Sequence, residues 1–146
     1  MDLKDKIKNL ADTYFNEFVA IRRHLHAHPE LSYEEVETSK FIAKKLTEFG
    51  IEHQTNIGGH GVVGLIKGKN ASSKIIALRG DMDALHIEEK NTTEYVSQNK
   101  GVMHACGHDV HTTSLMGAAK ILNELKEEFE GTIKLIFQPA EEKLPG

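Results

Sequence analysis

The spacing of apolar residues changes at Gly50, and that change limits the chain to a fold that mixes helices with a sheet. Before it, Leu3, Ile7, Leu10, Tyr14, Phe18, Ile21 and Leu25 recur at the period of a helix face, which predicts a long amphipathic helix over 2–27. Pro29 ends it. Ser32 with Glu35 three residues on reads as a capping box opening a second helix, which Gly50 closes. Beyond Gly50 the runs are short and strand-like. Residues 51–57 and 62–66 flank the turn Gly58-Gly59-His60-Gly61. Ile75-Ile76-Ala77-Leu78 has no polar alternation, which predicts a strand buried on both faces. A loop over 81–101 follows. A third helix over 110–128, with Asp109 as its cap, then precedes a last strand over 132–137. Helices alternating with strands imply an α/β layer fold.

Composition narrows the function. At 146 residues and 39% hydrophobic, the chain suits a single domain core. A net charge of -4 lacks the basic footprint of a nucleic-acid binder, and no apolar stretch has the length of a membrane helix. The charged start Met1-Asp2-Leu3-Lys4-Asp5-Lys6 is unlike a signal peptide, so a cytoplasmic location is expected. One cysteine excludes an internal disulfide. Histidine, by contrast, is abundant, with three of nine between 104 and 111.

That cluster, His104-Ala105-Cys106-Gly107-His108-Asp109-Val110-His111, has the donors favoured by zinc and related divalent metals. Cys106 and His108 project to one side of an extended segment, Gly107 permits a bend between them, and the helix start favours an anionic thiolate. A buried structural cysteine beside capping histidines is the alternative. Asp81 and Asp83 follow the apolar strand, where ligands gather in open α/β sheets; turn capping would equally explain them. Glu141 and Glu142 follow the last strand and Pro139, and adjacent carboxylates can divide two tasks, one binding a metal and one taking a proton. His24, His26 and His28 sit two apart near a helix end. They face apart there, and a structural role suits them better.

Four stretches together resemble a known family: Arg23-His24-Leu25-His26-Ala27-His28-Pro29-Glu30-Leu31-Ser32, Leu78-Arg79-Gly80-Asp81-Met82-Asp83-Ala84-Leu85, Gly101-Val102-Met103-His104-Ala105-Cys106-Gly107-His108-Asp109 and Phe137-Gln138-Pro139-Ala140-Glu141-Glu142. They are similar to the co-catalytic metallopeptidases and amidohydrolases that include aminoacylases, hippurate hydrolases, N-acetyldiaminopimelate deacetylases and plant auxin-conjugate hydrolases. The resemblance implies a three-layer α/β fold, a mixed sheet flanked by helices, with 1–146 as the N-terminal part of a catalytic domain. The lid and dimerisation domain would lie outside it. By resemblance Cys106, His108 and Glu142 are metal ligands and Glu141 is the general base, with Asp81, Asp83 and His111 in orienting roles.

The implied cofactor is a divalent metal in a pair of ions, zinc first, with manganese, cobalt or nickel as alternatives. The implied substrate is an N-acyl amino acid or small peptide, with no nucleic-acid or membrane partner, and a full-length protein would be free to form homo-oligomers. His86, where proline is frequent, and Lys143-Leu144-Pro145, where glycines are frequent, depart from the family pattern. Two other readings stand beside this one. One is a metal-free hydrolase with Cys106 as nucleophile and His104, His108 or His111 as base; the other is a truncated, inactive chain.

Overall fold

The computed structural model describes residues 1–146. Helices α1 (Leu3–Ala27) and α2 (Val36–Glu48) lead into strands β1 (Glu52–Ile57), β2 (Gly61–Lys67) and β3 (Ile75–Asp81). Helix α3 (His108–Glu124), a 3₁₀ turn at Lys126–Glu128 and strand β4 (Thr132–Gln138) complete the chain. The sheet runs β1-β2-β4-β3; β3 and β4 are parallel and the other neighbours antiparallel. This is the expected α/β class with a mixed sheet. No helix is long and apolar enough to cross a membrane.

The apolar stripe of α1 forms as its periodicity predicts. Asp2 caps it by accepting a hydrogen bond from the Asp5 N–H, and Ile21 and Leu25 are buried at its far end. Ile42 and Leu46 of α2 and Leu115, Met116 and Ala119 of α3 join them over Val62, Ile66, Leu135 and Phe137 of the sheet, forming one apolar cluster. The buried positions of β2 and β4 alternate, so one sheet face carries this core.

Three sequence expectations are corrected. Helix α2 starts at Val36, and the Ser32/Glu35 capping box does not form. The Glu30 carboxylate caps that helix instead, accepting from the N–H groups of Glu37 and Thr38, while Ser32 and Glu35 bond to partners remote in sequence. Helix α3 starts at His108 and ends at Glu124, with Gly107 in the cap position; Asp109 lies in its first turn, buried against His26 and Arg22. Finally, β3 is a strand but is not buried on both faces. It lies at the sheet edge with β4 on one side, leaving Ile75 66% and Ile76 55% exposed. An unbroken apolar run does not distinguish a central strand from an edge strand whose face is open.

The parallel pairing places Asp81 opposite Gln138, so both acidic segments leave the sheet at the same end. At Gly80 an added Cβ would meet the His111 carbonyl oxygen at 3.1 Å and the Leu115 Cβ at 3.4 Å. Glycine there brings the end of β3 against the first turns of α3.

Candidate metal centre

Gly107 has φ +94°, a left-handed conformation disfavoured for any side chain, although space around it is open. The turn aims Cys106 and His108 at one place. Across from them the chain leaves β4 through Pro139 and Ala140, where Ala140 has φ +51° and is fully buried. That conformation costs an alanine about 1–2 kcal/mol, and Glu141 and Glu142 follow it. The donor atoms of Cys106, His108 and Glu142 lie within 4.8 Å of one another, and a second set, Asp81, His108 and His111, is equally close.

His108 is the hub. Its ring is 2% exposed, and Nδ1 lies 3.1 Å from Asp83 Oδ1. Nε2 lies 3.5 Å from Glu142 Oε1, 3.6 Å from Glu141 Oε2 and 3.7 Å from Asp81 Oδ2. Asp83, itself 1% exposed, also accepts from the Ser32 hydroxyl at 2.7 Å and the Glu142 N–H at 3.0 Å. Asp81 accepts from His111 Nδ1 at 2.6 Å and pairs with Arg79 at 3.1 Å. Of the residues singled out from the sequence, the structure thus groups Cys106, His108, Glu141 and Glu142 with Asp81, Asp83 and His111. His26 stands apart, its ring nitrogens facing Asp109 and Glu89. His24 stacks on Phe41.

The ionisations follow from this crowding. Burial pushes the Asp83 carboxyl up, but hydrogen bonds from His108, Ser32 and the Glu142 backbone outweigh it and hold the group well below the usual carboxylate range. Burial disfavours a charged His108, yet the Asp83 hydrogen bond and the charges of Asp81, Asp83 and Glu142 raise it. The Cys106 thiol is pushed up, first by its hydrogen bond to Glu142, then by burial and the charges of Glu142, Glu141 and Asp81. The helix start was expected to favour a thiolate; facing carboxylates reverse that. Thiol, imidazole and four carboxylates in one place form a donor set with excess negative charge, which fits a divalent cation.

The sequence held no sign of what surrounds His104. It is 5% exposed, neither ring nitrogen has a partner, and burial lowers its pKa to about 4. As pH falls from about 6.5, the unfolded chain takes up a proton that folded His104 refuses, a loss of about 3 kcal/mol by pH 4. His108 has the opposite sign: its contribution is complete below about pH 6.5 and is lost as pH rises through its raised folded value. In the chelator-treated chain, His104→Leu is therefore expected to flatten the fall in melting temperature between about pH 6.5 and pH 4. Equal acid-side losses with and without His104 would contradict this.

Residues 77–146 match Peptidase family M20/M25/M40. Over 143 residues the chain is 46% identical to the N-acyl-L-amino acid amidohydrolase of Geobacillus stearothermophilus, covering 98% of this chain and 38% of that protein. The chain belongs to this peptidase family. IAA-amino acid hydrolase ILR1-like 5 of Arabidopsis thaliana is 49% identical, over 90% of the M20 chain and 30% of its own length. Among solved structures, the Bacillus subtilis YxeP protein, described as a dinuclear metal binding peptidase from the M20 family, superposes with a TM-score of 0.85 at 45% identity. That match covers 90% of this chain and 36% of YxeP. The M20 chain thus spans between 30% and 38% of the length of these relatives.

Proposed function

We propose that the chain supplies one wall of the catalytic site of a metal-dependent amidohydrolase acting on N-acyl amino acids or similar small amides and peptides, with residues 1–146 forming the N-terminal part of the catalytic domain. The observation that carries this reading is the convergence of four carboxylates on the His108 ring, all within 3.7 Å, beside the Cys106 thiol. Cys106, His108 and Glu142 hold the metal, with zinc favoured by the mixed donors and manganese, cobalt or nickel as alternatives; the dinuclear description of YxeP supports a pair of ions. Once bound, a divalent ion polarises the amide carbonyl and lowers the pKa of water from about 15.7 toward about 7.

The chain's own residues do the rest. Asp83 holds His108 Nδ1, which turns Nε2 toward the ligand cluster. Asp81 orients His111 in the same manner. Glu141 Oε2, on the more open side of the cluster, takes a proton from the attacking water and delivers it to the leaving amine. The names of the Geobacillus and Arabidopsis relatives support the amide substrate class. A metal-free route through Cys106 is disfavoured, because a nucleophilic thiolate needs electropositive surroundings and this thiol faces carboxylates.

The test uses a protein that carries this sequence at the length of its relatives. Elemental analysis is expected to find divalent metal, and a chelator to stop hydrolysis of N-acyl amino acids until metal is restored. Turnover that survives chelation overturns the metal reading and restores Cys106 as a nucleophile.

A further inference from the structure

Glu35 is fully buried, although glutamate is rarely buried unless paired. It stands at the cap position of α2, yet its side chain makes no cap hydrogen bond. Its Oε1 instead accepts from the Ala140 N–H at 2.6 Å, across 105 residues of sequence, and Oε2 has no partner. Ala140 is the left-handed residue immediately before Glu141 and Glu142. Neighbours of Glu35 grip the same segments: Ser32 bonds to Asp83, the Glu30 carbonyl accepts from the Ala84 N–H, and the Tyr33 hydroxyl donates to the Lys143 carbonyl at 3.1 Å. The stretch from Glu30 to Glu35 is therefore a bracket joining the two acidic segments that emerge from β3 and β4.

On the reading of the site given above, we propose that Glu35 is a positioning residue: its carboxyl oxygen, held on Ala140 N–H, fixes the left-handed turn that sets where the Glu141 and Glu142 carboxylates stand. The requirement is for an acceptor of the right reach, not for a charge. Burial pushes the Glu35 carboxyl above its ordinary range, against the pull of its backbone hydrogen bonds, so a neutral group already suits the location. The unpartnered Oε2 leaves room in the hydrogen-bonding scheme for an amide without loss of an existing contact.

Two substitutions separate reach from charge. Glu35→Gln keeps the acceptor and removes the charge. Glu35→Asp keeps the charge, withdraws the acceptor by one methylene, and supplies a better helix cap, so α2 is not put at risk. Amide hydrogen exchange, read residue by residue in chelator on a protein that carries this sequence at the length of its relatives, is expected to show Ala140 protected in the unsubstituted protein and in Glu35→Gln. In Glu35→Asp that protection falls, and the Glu141 and Glu142 resonances move while those of α1 and α3 stay. Titration with cobalt(II), followed by thiolate charge-transfer absorption, is expected to show about tenfold weaker binding in Glu35→Asp and near-unchanged binding in Glu35→Gln. Ala140 protection that is equal in all three chains overturns the inference, as does a Glu35→Gln variant that behaves like Glu35→Asp. Cobalt binding absent from the unsubstituted protein at the relatives' length counts against the metal reading, and the exchange data still decide the role of Glu35.

Discussion

Replacing Glu141 with glutamine is expected to lower amide hydrolysis by about 100- to 10,000-fold while metal content is kept. Glutamine has the same shape and retains an acceptor, but it has no basic oxygen to hold a proton. The three proposed donors, Cys106, His108 and Glu142, are untouched by the change. The two glutamates differ in their surroundings: Glu142 is tied through its N–H to Asp83 and its side chain is 24% exposed, whereas that of Glu141 is 37% exposed. The more open one suits proton exchange with a substrate. The measurement pairs kcat with elemental analysis in a protein of the relatives' length. Retained turnover would remove Glu141 as the base, and lost metal would make it a ligand instead.

Asp83→Ala is expected to weaken metal binding by about 10- to 100-fold and to destabilise the chain by about 3–5 kcal/mol. One buried carboxylate serves three donors, the His108 ring, the Ser32 hydroxyl and the Glu142 N–H, and its removal orphans all three. The imidazole then loses both its fixed orientation and its nearest counter-charge. Ser32→Ala, which removes a single donor, is expected to have a much smaller effect on both quantities. Cobalt titration and urea unfolding of the three chains check the pattern. Metal affinity indifferent to Asp83 would mean that His108 is held by packing alone.

Local pattern made some of this legible and remote pairing hid the rest. The α1 stripe could be read from residue spacing because each buried position repeats on one face, and the observed span, Leu3–Ala27, differs from the reading of 2–27 by one residue. The acidic segments could be placed at strand ends because each directly follows an apolar run; that the two strands pair in parallel and bring both segments to the same end of the sheet is visible only in the structure. Ser32 and Glu35 depart from the capping box for a physical reason: it competes with Asp83 and Ala140, which lie 51 and 105 residues away and win those side chains. Spacing cannot show such partners. Their only signal was membership in the histidine-proline-glutamate stretch of residues 23–32 and its continuation, which had no chemistry of its own. The burial of His104 left no trace in the sequence either, since an unpartnered imidazole and a solvated one are the same letter.

The separation of the donors along the chain governs how strongly an ion would oppose denaturation. Cys106 and His108 stay two residues apart even in a random coil, whereas Glu142 reaches them only once β3 and β4 have paired around α3. With the proposed ligands, the denatured ensemble would keep a partial chelate, and mass action would stabilise the native state only by the difference between the two affinities. Soft, thiol-loving ions would narrow that difference most, so the metal that binds tightest need not protect the fold best.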